Sequence, residues 1–348
     1  MHRIISFTDA IREATEQSMQ RDPSVIVMGL GVSYKNGADG TMGTLKERYP
    51  ERVFDTPVSE FCNTGVGVGA AITGLRPIIH HARVEFGLFG IDQIVTQAAK
   101  WNYMFGGENP VPIVFRLAVG RQWGNGPQHT QALYALFGNV SGLKVVIPSS
   151  PHMAKGLLNS AVRDNNPVVF LEPRWLYGLK ENVSEDDYFV PLNKSRYVTR
   201  GSDLTLVTYG DGIVDALASH SKLLETGVSI EIIDLVSINP IDYELVFESV
   251  SKTGKLMCLD TTNNAFNVGG EVIAKVCSKL LHKLSFPPVQ LSAPDAPCPT
   301  ATSLTEFYYP TKADITKKVL SILGKPLINE VLSFGDLHLS PKITINTL

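Results

Sequence analysis

The chain has 348 residues, 44% hydrophobic and 19% charged, which is enough apolar material for two globular domains and too much for a disordered polymer. A net charge of -3 gives no basic footprint for nucleic acid, and the scattered Cys62, Cys258, Cys277 and Cys298 form no Cys-x-x-Cys pair, which excludes a zinc ribbon and a disulfide scaffold. Met1-His2-Arg3-Ile4-Ile5-Ser6 lacks the apolar core of a signal peptide and no apolar run reaches the length of a membrane span. The expectation is therefore a cytoplasmic chain whose partners are small molecules and proteins, with no nucleic acid and no membrane.

In chain order, Thr8 is the expected N-cap of a helix over 8–20, and Ser24-Val25-Ile26-Val27-Met28-Gly29 is an apolar burst of strand length. Residues 33–41 are rich in turn formers and read as an exposed loop. Val53-Phe54 leads into the stretch Asp55-Thr56-Pro57-Val58-Ser59-Glu60-Phe61-Cys62-Asn63-Thr64-Gly65-Val66-Gly67-Val68-Gly69, around which the chain is organised. Small residues there admit close approach by another backbone or a flat ligand. Ser59 or Asn63 is a candidate helix cap, which puts Glu60 near a helix N-terminus where the dipole suits a carboxylate. A plain first-turn acid complementing that dipole is the simpler reading of Glu60 taken alone.

Strands follow at 76–79 and 112–117, separated by a helical stripe over 91–104 that stops at Gly106-Gly107. The run Gly120-Arg121-Gln122-Trp123-Gly124-Asn125-Gly126-Pro127-Gln128-His129-Thr130-Gln131 has too much glycine and proline for regular structure, so it is a loop that presents His129. Taken alone, His129 reads more readily as a surface or capping residue than as a catalyst. Strand, helix, strand then recur at 143–148, 153–161 and 167–172, the rhythm of a parallel sheet. Residues 181–187 are charged and 191–200 have linker composition. A second α/β rhythm occupies 204–259, and 325–348 has no clear period and is expected to be an extended tail.

Segments in fixed order resemble one family, the beta subunits of thiamine-diphosphate-dependent 2-oxo acid dehydrogenase E1 components, which are related to transketolase. They include Asp55-Thr56-Pro57-Val58-Ser59-Glu60, Gly74-Leu75-Arg76-Pro77, Ile91-Asp92-Gln93-Ile94, Gln128-His129-Thr130-Gln131, Gly142-Leu143-Lys144-Val145-Val146-Ile147-Pro148 and Pro294-Asp295-Ala296-Pro297-Cys298-Pro299. The resemblance implies an α/β chain of two doubly wound domains: a pyrimidine-binding domain over 1–190, a linker over 191–200, a transketolase C-terminal domain over 201–324, and the tail over 325–348. It implies that Glu60 hydrogen-bonds the aminopyrimidine of thiamine diphosphate and promotes loss of the thiazolium C2 proton. Phe86 would wall the pyrimidine ring, and His129 would handle protons of the substrate adduct. A monovalent cation such as K+ would sit on the backbone at Ile113, Ala161, Val162, Asp164 and Asn166.

The diphosphate half of such a site is expected elsewhere. Gly210-Asp211-Gly212 with Asn239 imitates the family's Mg2+ motif, but it lies in the C-terminal part and Pro240 follows Asn239, so Asp211 reads as a strand-end turn residue. An alpha-type subunit is then implied, in an α₂β₂ assembly, to supply the Mg2+ ligands, with a lipoyl acyltransferase as a further partner. The resemblance implies decarboxylation of a 2-oxo acid and transfer of the acyl or aldehyde fragment to an acceptor. The alternatives are a carboligase or ketol transferase of a biosynthetic pathway, or a non-catalytic scaffold subunit.

Several positions depart from the family pattern. Leu30-Gly31 stands in place of an acidic pair, Ile78-Ile79-His80-His81-Ala82-Arg83-Val84-Glu85 replaces a Glu-Phe-rich run, and Arg121 and Trp123 precede His129. The added cationic groups fit either an anionic or phosphorylated substrate or exposed arginines at a subunit interface. Cys62, where the family has glycine, is expected to be a small buried residue rather than a reactive thiol.

Overall fold

The computed structural model describes residues 3–35, 37–121, 124–327 and 344–345. Two compact units result: Met1–Gly120 with Leu136–Leu192 and Ser340–Leu348 form the first, and Arg121–Ala135 with Asn193–Leu339 form the second. The segment carrying His129, which the sequence pattern groups with the first domain, thus belongs to the second unit.

In the first unit, parallel strands run in the order Lys144–Val146, Val168–Pro173, Val114–Val119, Arg76–His81, Val25–Gly29, Val53–Asp55. Val25–Gly29, Val114–Val119 and Val168–Pro173 are buried along their whole length, which is why they read as mostly apolar runs rather than as alternation, broken only by Arg116 and Glu172, which pair with each other. The helix Phe7–Arg21 starts two residues earlier than a cap at Thr8 implies. Ser6 is its cap, its Oγ accepting from Asp9 N at 3.1 Å while the Asp9 carboxylate accepts from Ser6 N in a capping box, and Thr8 Oγ1 instead donates to the Tyr177 carbonyl.

The charged run over 181–187 begins within a strand of the first unit. Lys180–Asn182 pairs antiparallel with Ile4–Ser6, and Glu181, 5% exposed, accepts from His152 N at 2.8 Å. Of the expected tail, Thr344–Ile345 forms a strand parallel to Lys180–Asn182, satisfying backbone groups on that strand's other edge. The rest of the tail beyond Leu327, like Trp123, lies outside the described residues.

The second unit has its own sheet, in the order Val289–Ala293, Leu256–Asn263, Leu204–Thr208, Ile230–Asp234, Arg196–Thr199. All pairings are parallel except that of the edge strand Arg196–Thr199, which occupies sequence read as linker. Leu206, Ile232, Met257 and Leu259 from the strands pack against Ile213 and Ala216 of the helix Gly212–Leu224 and Ile315 and Val319 of the helix Lys312–Ile322. Among the described residues no helix is long and apolar enough to cross a membrane.

Candidate active site

Glu60 is the first residue of the helix Glu60–Ile72. Ser59 occupies the cap position without a side-chain cap bond, and Asn63 does not cap at all: its amide donates back to the Pro57 carbonyl at 2.8 Å and closes the turn. The small residues behind Glu60 serve the sheet. A Cβ on Gly67 would lie 2.5 Å from Ile79 Cδ1, so glycine is what lets this helix lie so close to the strand Arg76–His81. Cys62, contrary to the expectation of a buried position, is exposed, because it lies on the solvent side of that packed face.

This packing puts Glu60 at the carboxyl ends of the parallel strands, where ligands bind in open α/β sheets. Glu60 and Phe86 line one pocket there, with Leu30, Asn63, His80 and His81. Its rim is stitched by Asp55, whose two carboxylate oxygens accept from Gly31 N at 2.6 Å and Ser33 Oγ at 2.8 Å. A π-helical turn, Gln93–Ala98, follows, and the Gln93 side chain comes within contact of Gly65 on the Glu60 helix.

The two histidines have distinct environments. Thr64 Oγ1 donates to the Glu60 carbonyl at 2.6 Å and lies 3.2 Å from His81 Nε2. A hydroxyl has one proton, so His81 must donate from Nε2, which fixes its tautomer and links it through Thr64 to the first turn of the Glu60 helix. His80 is 3% exposed, and neither ring nitrogen has a hydrogen-bond partner among the described residues. Burial, then the Arg116 charge beside it, holds its pKa well below the ordinary histidine value.

Burial alone lowers His81 to a pKa of about 4. An unfolded histidine titrates near 6.5, so below that value the unfolded chain takes up a proton that the folded site refuses. The stability that follows is fully present above pH 6.5 and is lost as pH falls toward 4, about 3 kcal/mol in all at ~1.4 kcal/mol per pKa unit. His81→Gln, which keeps a donor for Thr64, should remove this share of the acid sensitivity in urea unfolding compared at pH 7 and pH 4.5. The same pH dependence in the variant and the parent would refute the assignment.

His129 stands in the second unit, in a turn where its N–H donates to the Gly126 carbonyl at 3.3 Å and Thr130 Oγ1 donates to the same carbonyl at 2.5 Å. Gly126 has φ of +72°, and a Cβ there would meet Thr300 Oγ1 at 2.6 Å, so glycine is required on both counts. Arg121, 5% exposed, donates from Nη1 to Asp211 Oδ2 at 2.8 Å and from Nη2 to Asp215 Oδ2 at 2.7 Å. Asp211 is a buried turn residue at the start of the helix Gly212–Leu224, engaged with an arginine. Of the cationic groups considered for an anionic substrate or an exposed interface, Arg121 is thus buried and neutralised, and His80 and His81 are uncharged. No local pattern announces the Arg121 pairing or the His81–Thr64 link, because the partners are distant in sequence.

The backbone positions named for a monovalent cation are partly engaged. Arg76 Nη1 donates to the Val162 carbonyl at 2.9 Å and the Asp164 carbonyl at 3.0 Å, and Val168 N donates to the Ile113 carbonyl at 2.9 Å. The Ala161 carbonyl accepts from Asp164 N, and Asn166 N donates to Asp164 Oδ1 at 2.8 Å. Among the described residues no group of three or more His, Cys, Asp or Glu side chains could hold a metal ion.

Comparison with known proteins gives two family matches: the transketolase pyrimidine-binding domain over residues 3–180 and the transketolase C-terminal domain over 193–315. The chain is 37% identical to the acetoin:2,6-dichlorophenolindophenol oxidoreductase subunit beta of Bacillus subtilis (strain 168), over 94% of this chain and 100% of that protein. It is 39% identical to the pyruvate dehydrogenase E1 component subunit beta of Porphyra purpurea, over 88% of this chain and 92% of that protein. Among solved structures it is similar in fold to a split-gene transketolase described as an inactive beta4 tetramer, with a TM-score of 0.74 at 22% identity, covering 92% of this chain and 98% of that one.

Proposed function

The chain belongs to the transketolase-like family of E1 beta-type subunits, and from that premise we propose that it is the beta half of a thiamine-diphosphate-dependent enzyme. The reaction is decarboxylation of a 2-oxo acid with transfer of the remaining fragment to an acceptor. The observation that carries this reading is the meeting of Glu60, at a helix N-terminus, with the Phe86 ring in one pocket at the carboxyl edge of the sheet. Its lining has the groups an aminopyrimidine calls for: a carboxylate to accept from the ring system and an aromatic side chain to cover it. Thiamine diphosphate, when bound, supplies the nucleophilic carbon that adds to a carbonyl and takes up the charge left by decarboxylation. Glu60 binds and polarises the pyrimidine, Phe86 orients it and excludes water, and His129 holds or moves a proton at the substrate oxygen.

Mg2+ ligands come from an alpha-type partner in an α₂β₂ assembly, and a lipoyl acyltransferase is the acceptor's carrier. A monovalent cation on the carbonyls of Ile113, Ala161, Val162, Asp164 and Asn166 belongs to the same proposal. It would share the Val162 and Asp164 oxygens with Arg76, each oxygen having two lone pairs. The test is calorimetry with thiamine diphosphate and Mg2+: the chain alone should bind poorly, and the chain co-expressed with an alpha-type subunit should bind tightly and only with the metal. Tight binding to the single chain overturns the half-site reading.

A second substrate class is favoured by one observation. The relatives include an acetoin:2,6-dichlorophenolindophenol oxidoreductase subunit beta beside pyruvate dehydrogenase E1 beta subunits, so an uncharged hydroxyketone of the acetoin type stands beside a 2-oxo acid as a substrate class. Turnover of pyruvate against acetoin by the reconstituted pair, with an artificial electron acceptor, decides between them.

A further inference from the structure

The segment Arg121–Ala135 is held in the second unit at both ends and between. At its start, the Arg121 guanidinium forms the two hydrogen bonds to Asp211 and Asp215 and lies 5.3 Å from the centroid of the Tyr309 ring. Asp211 is itself fixed, its Oδ1 accepting from Thr261 Oγ1 at 3.2 Å, and Tyr309 OH lies 3.2 Å from Cys298 Sγ. At the far end, Tyr134 packs edge-on against Tyr209 at 5.3 Å and 90°, and Tyr209 OH donates to Asp260 Oδ1 at 2.8 Å. Both anchors therefore close on the same turn, Tyr209-Gly210-Asp211, which follows the strand Leu204–Thr208. Between them Gly126 seats against Thr300.

We propose that Arg121 is a positioning residue for His129, with Asp211 and Asp215 as its counter-ions, so that the Gly210-Asp211-Gly212 segment serves as an ionic anchor for the His129 loop. The catalytic consequence rests on the role given to His129 above; the tether itself does not. Three features favour a tether over an incidental surface pair. The guanidinium is nearly fully buried, so its charge must be compensated in place. The two bonds use separate nitrogens and separate carboxylates, which fixes the plane of the group. The loop has too much glycine and proline to form regular backbone structure that would order it without such anchors.

The tether is tested first by amide hydrogen exchange of the full chain, comparing the parent with Arg121→Met, Arg121→Lys and Asp215→Asn. Arg121→Met should speed exchange by about tenfold or more in peptides from 121–135 while peptides from the Glu60 helix stay protected, Arg121→Lys should recover part of the protection, and Asp215→Asn should loosen the loop less. If Arg121→Met does not fold, the same confined loosening in Asp215→Asn carries the test. Unchanged exchange in 121–135 for every folded variant overturns the tether, whatever the activity.

The reconstituted enzyme then reads the consequence. The kcat of Arg121→Met should fall with little change in KM, and adding Arg121→Met to His129→Ala should cost no further rate, because both changes remove the same placed imidazole. Multiplying losses in the double variant overturn the positioning role. A loosened loop with full turnover in both single variants leaves the tether standing and removes His129 from the chemistry.

Discussion

Glu60→Gln, reconstituted with an alpha-type partner, should slow exchange of the thiamine C2 proton by roughly 10²- to 10⁴-fold, the range typical of losing a general acid-base group. Glutamine keeps the shape and one acceptor but not the charge, so thiamine diphosphate affinity should change little. The position is suited to this role because Glu60 begins the helix Glu60–Ile72, faces the pocket shared with Phe86, and has its backbone carbonyl held by Thr64. His129→Ala should give the opposite pattern. If the imidazole acts only after substrate adds, C2 exchange survives while turnover falls by roughly the same 10²- to 10⁴-fold. The measurement is C2 deuterium exchange by NMR beside steady-state assays on both variants. Parental exchange in Glu60→Gln removes Glu60 from the mechanism, and undiminished turnover in His129→Ala makes that histidine an ordinary loop residue.

Arg116→Met should lower the unfolding free energy of the chain by about 3–5 kcal/mol, the cost of leaving one member of a buried ion pair uncompensated. Arg116 and Glu172 are both fully buried on neighbouring strands, joined by Nε to Oε1 at 2.5 Å and Nη2 to Oε2 at 3.0 Å, and Tyr177 OH donates to the same carboxylate at 2.8 Å. The aromatic face of Tyr177 stacks on Phe7, so the charge cluster is built into the packing of the first helix on the sheet. Adding Glu172→Gln to Arg116→Met removes the stranded charge and keeps an acceptor for Tyr177, so the double variant should recover most of the loss. Urea unfolding of the three proteins is the measurement. A loss below about 1 kcal/mol in Arg116→Met would mean that the carboxylate finds other compensation.

The alternation of helix and strand was legible from the residues alone, because strands buried on both faces are predominantly apolar and glycine or proline marks their ends. Val25–Gly29, Val114–Val119 and Leu204–Thr208 are such strands, recognisable without any knowledge of their neighbours. Glu60 at a helix start was legible for a related reason: a polar turn followed by small residues is a local signal. The first helix was legible too, but its cap was not, since Thr8 and Ser6 both satisfy the pattern and only the reach of Asp9 back to Ser6 chooses between them.

What the tertiary structure alone decided is the electrical state of the side chains around the chemistry. As residue types, Arg121, His80 and His81 are three groups able to carry positive charge. In the fold, Arg121 is neutralised by two aspartates far along the chain, and the histidines are stripped of water between packed strands and left uncharged. Likewise 181–187 reads from the sequence only as a charged run, yet Glu181 is buried against the start of the helix Pro151–Arg163. Period, turn chemistry and capping are short-range properties that a sequence carries in its own order. Charge state depends on burial and on whichever group lies opposite, and those are fixed only when distant segments meet.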